Sequence, residues 1–175
     1  MLIVLLAAML LPALAAAAAG GKAPKGNPRL ANLEIDLWPE YDRPAMLVIL
    51  KGEIASNVTL PAAVSVRIPA VSGGPSAVAI SPDGGGNLQN AKYEREDAGE
   101  HLIVKLAVPQ RNFHIEFYDP IATRAPERKY TYVWTGDLAA DRLAVTIQEP
   151  AGTLDLTTTP ALESAATGQD GLRYR

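Results

Sequence analysis

The sequence predicts an all-β fold: an immunoglobulin-like or jelly-roll β-sandwich of about 8–10 short strands after an N-terminal signal helix. Two observations predict it. Apolar residues alternate with polar ones at a period of two, and 14 glycines and 14 prolines break the chain into short segments. Such alternation buries one face of each strand, and a β-barrel is the alternative architecture.

Four strands are predicted in the first half of the chain. At 33–37 and 64–68, apolar residues alternate with charged or hydroxyl-bearing ones. The run at 46–50 is apolar throughout, which predicts a strand covered on both faces. The short segment 77–80 is also apolar, and it is followed by the turn-forming residues 81–87.

The second half carries the remaining strands. The segments 102–108, 113–117 and 143–147 each place apolar residues at every second position. At 130–134, two tyrosines and a tryptophan alternate with other residues, which predicts a strand. For these rings we favour core packing over a binding face. A weaker strand is predicted at 154–156.

The chain divides into four regions. Residues 1–19 carry no charged side chain and change from leucine to alanine, which predicts a signal peptide, with an uncleaved membrane anchor as the alternative. Residues 20–29 predict a flexible linker, and 30–157 the β-sandwich domain. Residues 158–175 lose the alternation and predict a loosely ordered tail, whose aromatic ending is typical of a strand from a longer protein. We therefore expect an exported protein that is periplasmic, at the cell surface or extracellular.

The composition excludes several partners and chemistries. The chain has no cysteine, so neither disulfides nor thiolate metal ligands contribute. The formal net charge is -3, and the 16 basic and 19 acidic residues are interspersed, which gives no footprint for nucleic acid. Membrane contact is expected only if the N-terminal segment stays uncleaved, and no cofactor is predicted.

Candidate catalytic and metal-binding residues are few. The two histidines are His101 and His114, and His114 shares a strand face with Glu116, a pair that needs further ligands to hold zinc. The glycine-rich segment 83–87 has a single aspartate, so a plain turn is favoured over a calcium loop. No serine lies in a Gly-x-Ser-x-Gly setting. We predict no catalytic residue, no metal site and no enzymatic activity, with a hydrolase as a weak alternative.

The connection between the first two predicted strands carries most of the candidate binding residues. It is bracketed by prolines and combines aromatic, acidic and basic side chains, and binding residues concentrate in such loops. An aromatic and acidic pair also follows the strand at 113–117. The predicted binding residues are Trp38, Glu40, Tyr41, Asp42, Arg43, Tyr118 and Asp119.

Four stretches give the chain a family resemblance. They are LWPEYDRP at 37–44, FYDP at 117–120, YTYVWTGD at 130–137 and QEPAG at 148–152. Together they resemble a family of exported bacterial envelope β-domain proteins whose activity is not established. The resemblance implies an exported β-domain over most of the chain and carries over no catalytic or binding residue.

Two functions remain open. The first is a non-enzymatic interaction or structural module of the bacterial envelope, which holds an envelope protein or polysaccharide through strand-edge or loop contacts. The second is a carbohydrate-binding module that uses the loop from Trp38 to Arg43.

Overall fold

The computed structural model describes residues 26–82, 87–150 and 152–175. The predicted signal peptide and the glycine-rich residues 83–86 therefore lie outside the described residues. The described chain is all-β, as predicted, with a 3₁₀ turn at Ala70–Ser72. Its strands are β1 (Leu30–Pro39), β2 (Ala45–Ile54), β3 (Ala62–Pro69), β4 (Pro75–Ser81), β5 (Gln89–Asn90), β6 (Tyr93–Ala98), β7 (His101–Val108), β8 (Asn112–Pro120), β9 (Ala122–Arg124), β10 (Glu127–Lys129), β11 (Ala140–Glu149), β12 (Ala166–Thr167) and β13 (Arg173–Tyr174).

Two sheets form the sandwich. The wide sheet has the order β12-β13-β11-β1-β2-β8-β4-β5, and the narrow sheet has the order β3-β7-β6, while β9 and β10 form a separate hairpin. Both larger sheets contribute side chains to one hydrophobic core. Neighbouring strands pair antiparallel except for β1 and β11, which run parallel among the described residues.

The two central strands of the wide sheet follow their sequence patterns. In β1, Leu33, Ile35 and Leu37 are buried in the core, while the residues between them face the outer side of the sheet. In β2, Leu47 and Ile49 are buried on the outer side as well. The uniformly apolar run is thus buried on both faces, as predicted.

The aromatic segment 130–134 differs from its prediction. It forms no strand, yet Tyr130, Tyr132 and Trp134 are partly buried and pack against the core. Period-two alternation indicates an extended backbone with one apolar face, and such a backbone needs no hydrogen-bonded neighbour. The predicted core role is confirmed, whereas the predicted strand is wrong.

Other differences involve charged or very short strands. β6 was not predicted because it consists mainly of charged residues, and all six of its residues are exposed. The segment 154–156 forms no strand, and Leu154 is fully exposed. The tail predicted to be loosely ordered contains β12 and β13, whose two residues each are too few to show an alternation.

Two polar side chains hold the outer edge of β3. Asn27, in the predicted linker, donates from Nδ2 to the carbonyl oxygens of Ser65 and Asp137 over 2.7 and 2.8 Å. Its Oδ1 accepts from the Ser65 N–H over 2.7 Å. The Asp137 carboxylate accepts from the Arg67 N–H over 2.9 Å and from the Arg67 Nε over 2.6 Å. The part of the linker around Asn27 is therefore fixed to the narrow sheet.

A test of the core packing uses Gly52, which lies opposite Phe113 in the β2–β8 pair. A Cβ atom at Gly52 would lie 2.1 Å from the Phe113 Cζ, so the ring occupies the space of a side chain. We expect Gly52→Ala to lower the free energy of unfolding by about 1–3 kcal/mol through overpacking, measured by urea denaturation. The double variant with Phe113→Leu should lose less than the sum of the two single changes, and strict additivity would contradict this packing.

Candidate functional site

The β1–β2 hairpin ends in an exposed tip at residues 40–43. Its backbone closes tightly, because the Glu40 N–H donates to the Ala45 carbonyl over 2.9 Å and the Ala45 N–H donates to the Arg43 carbonyl over 2.7 Å. Glu40 has a φ of 51°, in the left-handed region that residues other than glycine seldom adopt. The hydrogen bonds around Glu40 hold this unfavourable conformation and fix the direction of the tip.

Tyr118 joins the tip from β8. Its partner in the neighbouring strand is Leu47, which in turn pairs with Trp38, so these side chains share the outer face of the wide sheet. The Tyr118 hydroxyl donates to Asp42 Oδ2 over 2.9 Å, and the Arg43 Cζ lies 3.7 Å from the centre of the Tyr118 ring. Burial and the hydrogen bond to Asp42 raise the pKa of Tyr118. A contact between residues distant in sequence thus fastens the tip to the sheet.

Trp38 and Tyr41 form an aromatic pair at the base of the tip. Their ring centres are 4.9 Å apart, with the planes tilted by 58°. Trp38 is half-buried, and its Nε1 is buried without a hydrogen-bond partner in the part of the chain that the structure describes. Tyr41 is 55% exposed. Trp38 therefore acts as an anchor, and Tyr41 is the ring that the tip presents to solvent.

One further side chain adjoins the tip, and the sequence did not predict it. Arg128, in β10, donates from Nε to Glu40 Oε1 over 2.9 Å. Arg128 carries no local sequence signal, because it reaches the tip through long-range chain placement.

Asp119 lies on the other side of the sheet from Tyr118, because successive residues of a strand point to opposite faces. Its Oδ2 accepts from the Tyr130 hydroxyl over 2.8 Å. It lines a cavity of about 120 Å³ together with His101, Arg67 and Tyr132. Of the seven predicted binding residues, the structure therefore brings six together at the tip and separates Asp119 from them. We define the hairpin-tip cluster as Trp38, Glu40, Tyr41, Asp42, Arg43 and Tyr118.

The predicted pair of His114 and Glu116 does form. The His114 Nε2 and the Glu116 Oε1 are 2.7 Å apart on the outer face of β8, and both side chains are partly buried. Within the described ranges, no group of three or more His, Asp or Glu side chains is arranged to hold a metal ion. This pair is therefore a local contact of β8.

The hairpin-tip cluster offers projecting side chains rather than a pocket. The cavity beside Asp119 is much smaller than ligand pockets, which enclose roughly 300–1,000 Å³. A second concavity, of about 370 Å³, is a groove that passes Tyr93 and Lys105 on the narrow sheet. One face of the Tyr118 ring is already covered by Arg43. The arrangement suits contact with another macromolecular surface better than enclosure of a small molecule.

Comparison with known proteins adds no relative. No protein-family model, no curated protein and no solved structure matches the chain. The resemblance to envelope β-domain proteins therefore stays a prediction. Among the described residues, no helix is long and apolar enough to cross a membrane.

A test of the aromatic segment uses its two tyrosines. Burial is the main cause that raises the pKa of Tyr130 and Tyr132 well above the ordinary value of 10.0, and the hydrogen bond to Asp119 adds to it for Tyr130. The folded chain therefore keeps these protons at pH values where the unfolded chain loses them. We expect their contribution to stability to be complete below about pH 10 and to decline as the pH rises further.

The measurement is urea unfolding at several values between about pH 9 and about pH 11.5. Tyr130→Phe and Tyr132→Phe should each make the decline less steep, because each removes one titrating group. Tyr93→Phe is the matched control, since Tyr93 is exposed on β6 and does not pack in the core. Equal slopes in all four proteins would show that these two phenols are not buried in the folded chain.

Proposed function

We propose that this chain is an exported, non-enzymatic interaction module that binds a protein partner in the bacterial envelope through the hairpin-tip cluster. The observation that carries the proposal is the exposed pair of Tyr41 and Arg43 on a tip whose backbone is closed by hydrogen bonds. The apolar N-terminal segment supports the export part of the proposal.

The composition and rigidity of the cluster both favour a protein partner. Tyrosine, tryptophan and arginine contribute most of the energy at protein interfaces, and the cluster contains all three. Glu40 is held by Arg128, and Asp42 by Tyr118, so little side-chain freedom is left to lose at these positions on binding. A projecting, pre-organised surface of this kind suits a complementary depression in another protein.

A carbohydrate-binding module is the second candidate, and one observation favours it. The Tyr41 ring is exposed and is flanked in the sequence by Glu40 and Asp42, and sugar sites combine a ring that stacks on the sugar with acidic groups that bind its hydroxyls. Against it, Trp38 is half-buried and Arg43 covers Tyr118, so a sugar would meet one ring rather than a platform.

A co-sedimentation experiment with bacterial envelope fractions distinguishes the two candidates. The purified full chain is mixed with untreated fractions, with protease-treated fractions and with fractions digested by polysaccharide hydrolases. We expect protease treatment to abolish binding and polysaccharide digestion to leave it unchanged. Tyr41→Ala and Arg43→Ala should each weaken binding about 30-fold, the effect of losing roughly 2 kcal/mol at an interface hot spot.

Tyr93→Ala is the matched control, because Tyr93 is an exposed tyrosine on the narrow sheet, away from the tip. It should bind as the unaltered chain does. Binding that disappears only after polysaccharide digestion, together with a loss in Trp38→Ala and Tyr41→Ala, would establish the carbohydrate candidate instead. Binding that is insensitive to both tip variants would exclude the hairpin-tip cluster as the contact surface.

A further inference from the structure

Most edges of the two sheets are protected against pairing with another chain. At the β3 edge, Asn27 and Asp137 occupy backbone groups of two residues. The opposite edge of the narrow sheet is β6, whose residues 94–97 are all charged, and charged side chains discourage the approach of another strand. At one end of the wide sheet, β5 is two residues long. An edge without such features is a template for a further strand.

Part of β11 has an edge of this unprotected kind. No described strand pairs with residues 143–146 on the side away from β1. On that side, Ile147 and Arg175 exchange two backbone hydrogen bonds of 2.9 Å. Because alternate residues of a strand direct their backbone groups to the same side, Val145 and Leu143 direct theirs there too. We call the strip beside Leu143 to Thr146 the open lane.

The side chains along the open lane are apolar. Leu143 and Val145 pair with Leu33 and Ile35, whose side chains are in the core, so all four lie on the same face of the wide sheet. Leu143 is nevertheless 55% exposed and Val145 37% exposed. The narrow sheet does not reach over this margin, and solvent meets apolar surface there.

The charged residues that precede the open lane do not protect this edge against pairing with another strand. Asp141 is paired with Arg29 through a hydrogen bond of 2.7 Å from Nε, and Arg142 donates from Nε to Asn32 Oδ1 over 2.9 Å. Both are held toward the β1 side, where their partners lie. The open lane therefore combines exposed apolar side chains with backbone groups that pair with no strand among the described residues.

We infer that the open lane binds an extended segment of a partner polypeptide, which runs antiparallel to β11 and carries apolar side chains at alternate positions. The direction follows from β13, which already pairs antiparallel with β11 on the same edge. In the continued register, the residues opposite Val145 and Leu143 lie on the apolar face, and the residue opposite Ala144 lies on the outer face. Strand addition of this kind uses backbone hydrogen bonds for affinity and alternate side chains for specificity.

A second copy of the chain fits the lane less well. In an antiparallel pair of two β11 strands with Leu143 opposite Val145, Asp141 would lie opposite Ile147 of the other copy, where Arg175 already pairs. Because β11 is flanked by β1, it cannot turn away before that point. A segment from a loop or a terminus can leave the lane at either end. This site is separate from the hairpin-tip cluster, so the two proposals fail independently.

The test uses the full chain and a synthetic probe peptide, Lys-Thr-Val-Thr-Val-Thr-Lys, with the amide signals of Leu143 and Val145 followed by NMR. At about 1 mM peptide, a concentration at which weak contacts are populated, we expect both signals to shift and both amides to exchange at least about tenfold more slowly. A control peptide with both valines replaced by proline should have no effect, because proline cannot donate to a strand.

Three altered chains complete the design. Leu143→Lys should lose peptide binding, whereas Val71→Lys, at another exposed apolar position, on the 3₁₀ turn, should keep it. Extending the chain after Arg175 with Thr-Val-Thr-Val-Thr should fill the lane, slow exchange at Leu143 and Val145 and block the peptide. The inference fails if the peptide shifts other signals instead, if the extended chain still binds it, or if the two amides are already protected in a dimer.

Discussion

The unequal width of the two sheets is the constraint on which the rest of the structure depends. The wide sheet carries eight strands and the narrow sheet three, so the narrow sheet cannot cover the whole inner face of its neighbour. A chain without cysteine gains its stability from burial, and the uncovered area needs other side chains. Tyr130, Tyr132 and Trp134 supply part of this cover from an irregular segment. The margin at Leu143 and Val145 stays exposed. Core packing and the open lane therefore have the same geometric origin.

The hairpin-tip cluster is held in place by β1, a central strand of the same wide sheet. This strand pairs with β2 on one side and with β11 on the other, and its last residues lead directly into the tip. Because Tyr118 bonds Asp42 and stacks under Arg43, the tip is also tied to β8. The tip is thus fixed by contacts from both sides of the hairpin, which explains how an exposed loop can keep one conformation around the unusual Glu40 backbone. Such pre-organisation lowers the entropy lost when a partner binds.

The long strands could be predicted from the sequence because each has a face that must be buried. Alternation cannot show whether an extended segment has a hydrogen-bonded neighbour, which is why 130–134 looked like a strand. It also gives no signal for β6, whose side chains are all exposed. At the candidate functional site, too, the sequence pattern cannot show which distant segments lie side by side. The neighbours within the loop, such as Trp38 and Tyr41, were predictable, whereas Arg128 arrives from a distant hairpin. Asp119 was misplaced because sequence proximity to Tyr118 ignores the alternation of faces.

The two proposed surfaces lie close together along β1. Val145 pairs with Ile35, and the tip begins after Pro39, so about four residues, or roughly 13 Å of strand, separate them along the sheet. Arg175 pairs with Ile147 directly beside the open lane. A segment bound in the lane extends the antiparallel pairing that holds β13 on β11. Because β1 pairs with β11 along the lane and with β2 up to the tip, one strand supports both surfaces.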